Sequence, residues 1–221
     1  MFLEAGAHAA ESTQRYLDLP FFRDGVRLRT RFIDDAVRGA LEAGIDQIVL
    51  LGAGFDARGH RLPEIASHRA AVYEIDVTEQ LERKAKILAA AGVEAPAHVR
   101  YVPFDFDRPG VDLETALPDA LAAKGFQPST GAVFVWEGVI GYIDASDIDR
   151  SLRFMAKARG PKGRVVFTFG EGSFHPDTAA DRARRAGFAT CEEIAGDELW
   201  RRYLSTEPHE HAWAMKIGTA C

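Results

Sequence analysis

Cysteine is scarce in this chain: Cys191 and Cys221 are the only two in 221 residues and form no CxxC spacing, which argues against a disulfide framework or a thiolate zinc site. Long apolar runs are missing as well. No segment reaches the length needed to cross a bilayer, and the opening MFLEAGAHAAES has neither the basic start nor the apolar core of a secretory signal. The expectation is a cytoplasmic chain without membrane contact. Positive charge is in deficit, with 27 Lys and Arg against 33 Asp and Glu and a formal net charge of −6. Nucleic acid and anionic lipid both require clustered cations, so neither is an expected partner; small molecules are. No repeat or low-complexity linker divides the chain. Its 221 residues, 47% hydrophobic, suit one sizeable core and are too few for two comfortable domains. Composition leaves the oligomeric state open.

What is present is an alternation of strand-like and helix-like segments, the pattern of an α/β fold with a largely parallel sheet. Short apolar runs rich in β-branched or aromatic residues predict buried strands over 47–51, 70–75, 99–103, 132–136 and 163–169. Between them the spacing predicts helices over 31–43, 78–91, 113–124 and 145–158. In the first, Phe32, Ala36, Val37, Ala40 and Leu41 recur at helical spacing and Gly44 is a natural stop. Ser146 is a candidate cap for the last, with Asp147 and Asp149 in its first turn. Beyond Phe169 the loop GEGSFHPDT leads into a helical stretch to Ala186, then short segments over 187–192 and 212–218. That tail fits an added, antiparallel strand at the sheet edge.

The run IVLLGAGFDAR carries the most information. A buried strand breaks into Gly52-Ala53-Gly54-Phe55-Asp56, where the glycines allow a sharp turn and bring bare backbone against a ligand. Asp56 opposes a phosphate there and suits a cation. Acidic residues recur at the following strand ends: Glu74 and Asp76 on the second, Asp105 after the third, Glu137 after the fourth. In an open α/β sheet those ends converge on one crevice near the reversal of strand order. Taken singly, each acid reads more readily as a helix cap or solvated turn; four in register point to a site.

S-adenosylmethionine accounts for the set. Its ribose hydroxyls suit Glu74 or Asp76, its adenine amine suits Asp105 with Phe106 on the purine face, and Glu137 and Asp56 suit its ammonium and sulfonium. Its carboxylate needs a cation, for which Arg29 and Arg31 are candidates, just before the first long helix.

The segments RLRTRFIDDAV, LLGAGFDAR, YEID, VPFDFD and WEGVIGYI resemble the leucine carboxyl methyltransferase-like group of class I S-adenosylmethionine-dependent methyltransferases, which includes bacterial O-methyltransferases of polyketide-type small molecules. The likeness covers roughly 27–169. It implies a Rossmann-like sandwich: a seven-stranded, mostly parallel sheet with an antiparallel last strand and helices on both faces. It also implies that Arg29 holds the methionine carboxylate, Gly52 and Gly54 form the cofactor loop, Asp76 with Glu74 the ribose site, Asp105 and Phe106 the adenine site, and Glu137 the methionine end. The expected organisation is a single domain over 1–221, with a cover segment over 1–28, a cofactor core over 29–169, and a sheet edge with substrate loops over 170–221. The chain is short at its N-terminus and after the fourth strand, where larger members build the substrate cover, so the acceptor is not inherited.

Methyl transfer is an in-line displacement that gains its rate from alignment and exclusion of water, with a general base optional. No catalytic residue is assigned. Tyr142 and His175 are candidate substrate contacts, against the plainer readings of packing with Ile140 and Ile143 for the tyrosine and a surface loop for the histidine. Tyr16, Phe21, Phe22 and Phe174 are candidate acceptor cover or ordinary core. His209 and His211 share ligand-compatible spacing but lack a third ligand, so no metal is expected. Arg182, Arg184 and Arg185 read as a solvated helix face. The rival activity is a nicotinamide-dependent oxidoreductase: Gly52, Gly54 and Ala57 fit a permissive G-x-G-x-x-G/A, with Glu74 about 20 residues on. That reading leaves Arg29, Asp105 and Glu137 without roles. A cofactor-binding sensor without catalysis is the other rival.

Overall fold

The computed structural model describes residues 20–106 and 110–221. In chain order its main elements are α1 (Pro20–Glu42), β1 (Gln47–Leu51), α2 (Arg58–Arg61), α3 (Pro63–Ser67), β2 (Ala71–Asp76), α4 (Thr78–Ala90), β3 (Val99–Pro103), α5 (Leu113–Ala122), β4 (Val133–Trp136), α6 (Ala145–Ala158), β5 (Arg164–Gly170), α7 (Ala179–Ala186), β6 (Cys191–Ala195), α8 (Gly196–Tyr203) and β7 (Met215–Ala220). The strands form one seven-stranded sheet in the order β3-β2-β1-β4-β5-β7-β6. Its first five strands are parallel, and β7 runs antiparallel to both β5 and β6. The Rossmann-like expectation, antiparallel last strand included, is met.

Side-chain alternation along the strands divides the core between the two faces. In β1, Val49 and Leu51 enter a cluster with Leu117, Leu121, Leu152, Phe154 and Met155 of α5 and α6, while Ile48 and Leu50 enter another with Ile33, Val37 and Leu41 of α1 and Leu199 of α8. All five residues of β1 are buried, as a strand covered on both faces requires.

Several boundaries move. α1 starts at Pro20 rather than 31, so Arg29 and Arg31 lie within the helix; Leu28, Phe32 and Ile33 continue its buried stripe through a segment dense in arginine. β2, β4 and β5 each sit one residue later at one or both ends, and the two tail strands fall at Cys191–Ala195 and Met215–Ala220. Ser146 does not cap α6: Asp144 is the N-cap residue, and no side chain caps there. α2, α3 and α8 have no counterpart in the sequence pattern. Short helices carry too few periods for an apolar pattern to register. Tyr16 and the side chains of Phe21 and Phe22 lie outside the described residues. No helix among the described residues is long and apolar enough to cross a membrane.

The reversal of strand order falls between β1 and β4, which places the loop after β1 against the end of β4. Gly52 makes that contact possible. Its φ is +68°, and a Cβ there would sit 2.6 Å from Val139 Cγ2. Gly52→Ala is expected to destabilise the protein by about 1–3 kcal/mol through backbone strain and overpacking, read as a lower denaturant midpoint at unchanged slope. Gly39→Ala, in α1 with nothing within 4 Å of the new methyl, should instead add about 0.5–1 kcal/mol. Equal midpoints for the two variants would contradict this account.

Candidate active site

The loop after β1 is tied to the end of β2. Ala53 N–H donates to the Ile75 carbonyl at 2.9 Å, and Gly54 N–H donates to Asp76 Oδ2 at 2.7 Å. Asp76 Oδ1 accepts from Val77 N–H at 2.8 Å, so this carboxylate grips the glycine loop and the start of α4 together. On its far side, the Asp56 carbonyl accepts from Lys84 Nζ of α4, which also pairs with Glu74 Oε2 at 2.6 Å.

Glu74 therefore departs from its expected role. It has no exposed surface; Oε2 is held by Lys84, itself 1% exposed, and Oε1 is buried without a hydrogen-bond partner, so the carboxylate lies beneath the loop and not at the surface a ribose would meet. The two acids of β2 share one sheet face by alternation, but only Asp76, at the strand end, reaches the surface. Burial pushes the Glu74 carboxyl up to about 7, with Lys84 opposing. His60 Nε2 lies 3.9 Å from Glu74 Oε1, and burial, then the Lys84 charge, holds its pKa below the usual histidine value.

Arg29 and Glu137, 108 residues apart in sequence, meet: Arg29 Nε donates to Glu137 Oε1 at 2.7 Å. The other Glu137 oxygen accepts from Arg58 Nη1 at 2.6 Å. Arg58 is 1% exposed and also donates from Nε to Asp34 Oδ1 at 2.8 Å and from Nη1 to Asp56 Oδ2 at 2.5 Å. Asp34 in turn receives both Nη atoms of Arg61 at 2.6 Å. Burial alone would raise the Glu137 carboxyl, but Arg58 and then Arg29 outweigh it and hold it below the usual carboxylate range. With both oxygens engaged, Glu137 anchors Arg29. The Arg58–Asp34 pair leaves no periodic signal in the sequence, where the arginine two residues after Asp56 is the one trace of it.

Arg29 lines a cavity of about 480 Å³ whose walls include Gly138, Tyr142, Phe169, Trp200 and Met215. The volume is within the range of small-molecule sites. The cavity sits over the ends of β4 and β5, beside the β1–β4 gap, and among the described residues no carboxylate lines it. Trp200 and Met215 come from the unforeseen α8 and the start of β7.

The remaining candidates separate. Tyr142 lines the cavity and is 89% exposed, so packing with Ile140 and Ile143 is not its role. His175 is exposed and absent from that lining, whereas Phe174, 3% exposed, is core against Phe167 and Phe169. Arg31 turns away from the cavity and lies 4.6 Å over the Tyr203 ring. Asp105 is exposed after β3, and Phe106 packs edge-on against Phe104 at 5.1 Å. Arg182 is not a solvated residue: it is 7% exposed and bonds to the Ala145 carbonyl and Asp149. Arg184 and Arg185 do make exposed ion pairs, with Asp181 and Asp177. His209 stacks edge-on against Trp200 while His211 lines the cavity, and no group of metal-ligating residues exists among the described residues.

The sheet order with a glycine loop at its reversal defines a class I methyltransferase fold. A methyltransferase structure from Thermobifida fusca, provisionally so described, shares it with a TM-score of 0.61 at 15% identity, covering 96% of this chain and 88% of that one. The chain belongs to the leucine carboxyl methyltransferase family, which matches it over residues 2–156. A Mycobacterium tuberculosis protein provisionally named an S-adenosyl-L-methionine-dependent methyltransferase is 36% identical over 201 residues, 87% of this chain and 62% of its own length. A Mycobacterium marinum protein of the same provisional name is 37% identical over 143 residues, 65% of this chain and 41% of its own. The chain thus spans about half the length of the curated relatives it matches.

Arg58→Met would leave Asp34, Asp56 and Glu137 short of their shared partner, and is expected to cost about 3–5 kcal/mol of stability. A loss under about 1 kcal/mol in denaturant unfolding would remove Arg58 from its central place. The two glutamates predict opposite pH effects. The folded value of Glu74 lies above its ordinary 4.5, so its contribution is intact below about 4.5 and falls as pH rises to about 7. Glu137, held low, contributes above 4.5 and loses that contribution as pH falls below it. Glu74→Gln should flatten the decline between pH 4.5 and 7 in the measured stability profile; an unchanged slope there would assign it to other groups.

Proposed function

We propose that the chain is an S-adenosylmethionine-dependent O-methyltransferase acting on a small, partly apolar acceptor. The observation that carries the reading is Arg29: a guanidinium fixed through Nε by Glu137, lining an aromatic cavity beside the glycine loop. No bond from its Nη atoms is made among the described residues, which leaves that edge for a carboxylate. When bound, S-adenosylmethionine supplies an electrophilic methyl group on a sulfonium. Arg29 would hold its carboxylate, Asp76 its ribose, Asp105 and Phe106 its adenine, and Gly52, Ala53 and Gly54 the close backbone approach. Asp76 keeps unused lone pairs on both oxygens after its two backbone bonds.

Trp200, Phe169 and Met215 would align the acceptor and exclude water, and Tyr142 would meet it at the rim. Among the described residues no carboxylate lines the cavity, which offers no counter-charge to a protonated amine and suits a neutral oxygen acceptor. A hydroxyl acceptor would release its proton at the open rim of the cavity, beside the exposed Tyr142. Residues 29–169 would carry the cofactor, with 1–28 and 170–221 contributing cover.

The nicotinamide reading fits less well, because the Gly54 N–H that a pyrophosphate would need is donated to Asp76. Equilibrium titration of S-adenosylmethionine against NAD(H) separates the two, and labelled-methyl transfer to hydroxyl, carboxyl and amine acceptors separates an enzyme from a sensor. Arg29→Leu and Asp76→Asn should each weaken S-adenosylmethionine binding by about tenfold or more. Affinities near wild type in both variants would count decisively against the assignment.

A further inference from the structure

A second cavity, of about 430 Å³, lies at the opposite end of the sheet. The β5–β7 ladder runs from Gly170 paired with Met215, at the first cavity, to Val165 paired with Ala220, at the second. Lys162, Arg164 and Arg202 line it, brought from the turn before β5, from β5 itself and from α8. In a chain of net charge −6 that convergence is notable for what is missing. Among the described residues neither Lys162 nor Arg164 has an ion pair, and the Arg202 guanidinium lies 5.7 Å over the Phe32 ring. Among the described residues Asp35 is the one Asp or Glu side chain in the lining, which Cys221 also borders, and it is already engaged by Arg38 at 3.1 Å and by the Tyr203 hydroxyl at 2.9 Å.

The backbone adds an independent observation. Lys162 has φ +61°, a left-handed conformation that a side chain carries at a cost and that glycine would hold without strain. A lysine kept at such a position, next to two other cations, is the kind of local strain found at binding sites.

We propose that this cavity binds a small molecule bearing a phosphate dianion next to an apolar or aromatic portion, at a site separate from the candidate active site. Two guanidiniums offer planar forks and Lys162 a point charge, a set that suits a doubly charged, multi-oxygen anion. Phe32 and the Tyr203 ring give the walls an apolar component for the rest of the ligand.

The test is an NMR titration of the full chain with inorganic phosphate and with phenyl phosphate, against sodium chloride at matched ionic strength. Saturable shifts at the Lys162, Arg164 and Thr219 amides are expected, tighter for phenyl phosphate and absent with chloride. Lys162→Gly relieves the backbone while removing a cation, so its thermal midpoint should rise as phosphate affinity falls several-fold. Arg164→Gln should weaken phosphate about tenfold. Where Lys162→Gly gains stability yet binds phosphate like the wild type, the lysine is only a turn residue and the site is refuted. Shifts reproduced by chloride refute it as well. Should Arg164→Gln fail to fold, Lys162→Gly decides alone.

Discussion

The buried guanidinium of Arg58 is the interaction on which the rest of the site depends. One side chain, 1% exposed, holds carboxylates from three separate parts of the chain: Asp34 of α1, Asp56 of the glycine loop and Glu137 at the end of β4. Three carboxylates brought so close would repel one another without it, and each would face the cost of leaving water unpaired. With it, the loop, the helix and the strand end have a common fixed point, and Arg29 gains a rigid mount through Glu137. The surface that a ligand would meet is thus organised by a residue no ligand would touch.

The acids around the crevice divide by depth rather than by type. Asp76 and Glu74 are two residues apart on one strand and face the same way, yet Asp76 holds the loop from its open edge while Glu74 props it from beneath through Lys84. Lys84 also binds the Asp56 carbonyl, so the loop is clamped from both sides. Side-chain length and position along the strand decide which acid is accessible, and neither is visible in a motif.

The parts of the fold that repeat were legible. Strands buried on both faces, such as Ile48, Val49 and Leu50, announce themselves as apolar runs, and α6, with Ile148, Leu152 and Met155 buried, as a helical stripe. The acids at the strand ends were legible for the same reason, since the end of an apolar run is easy to find. Arg58 and Asp34 were not, because an ion pair between residues 24 apart depends on tertiary geometry alone. α8, GDELWRRY, does not stand out in the sequence because only Leu199 and Trp200 carry the apolar signal between charged neighbours. The apolar neighbours Ile140 and Ile143 suggest packing for Tyr142, but a three-residue 3₁₀ turn points adjacent side chains in different directions and leaves it exposed.

The placement of β7 between β5 and β6 bears on the order of assembly. Among the described residues β6 pairs with β7 alone, so while the chain emerges from the ribosome β6 has no strand partner until a later segment arrives. The parallel half of the sheet can condense during translation. The antiparallel half depends on β7, which pairs with both β5 and β6 and brings Met215 to the wall of the first cavity.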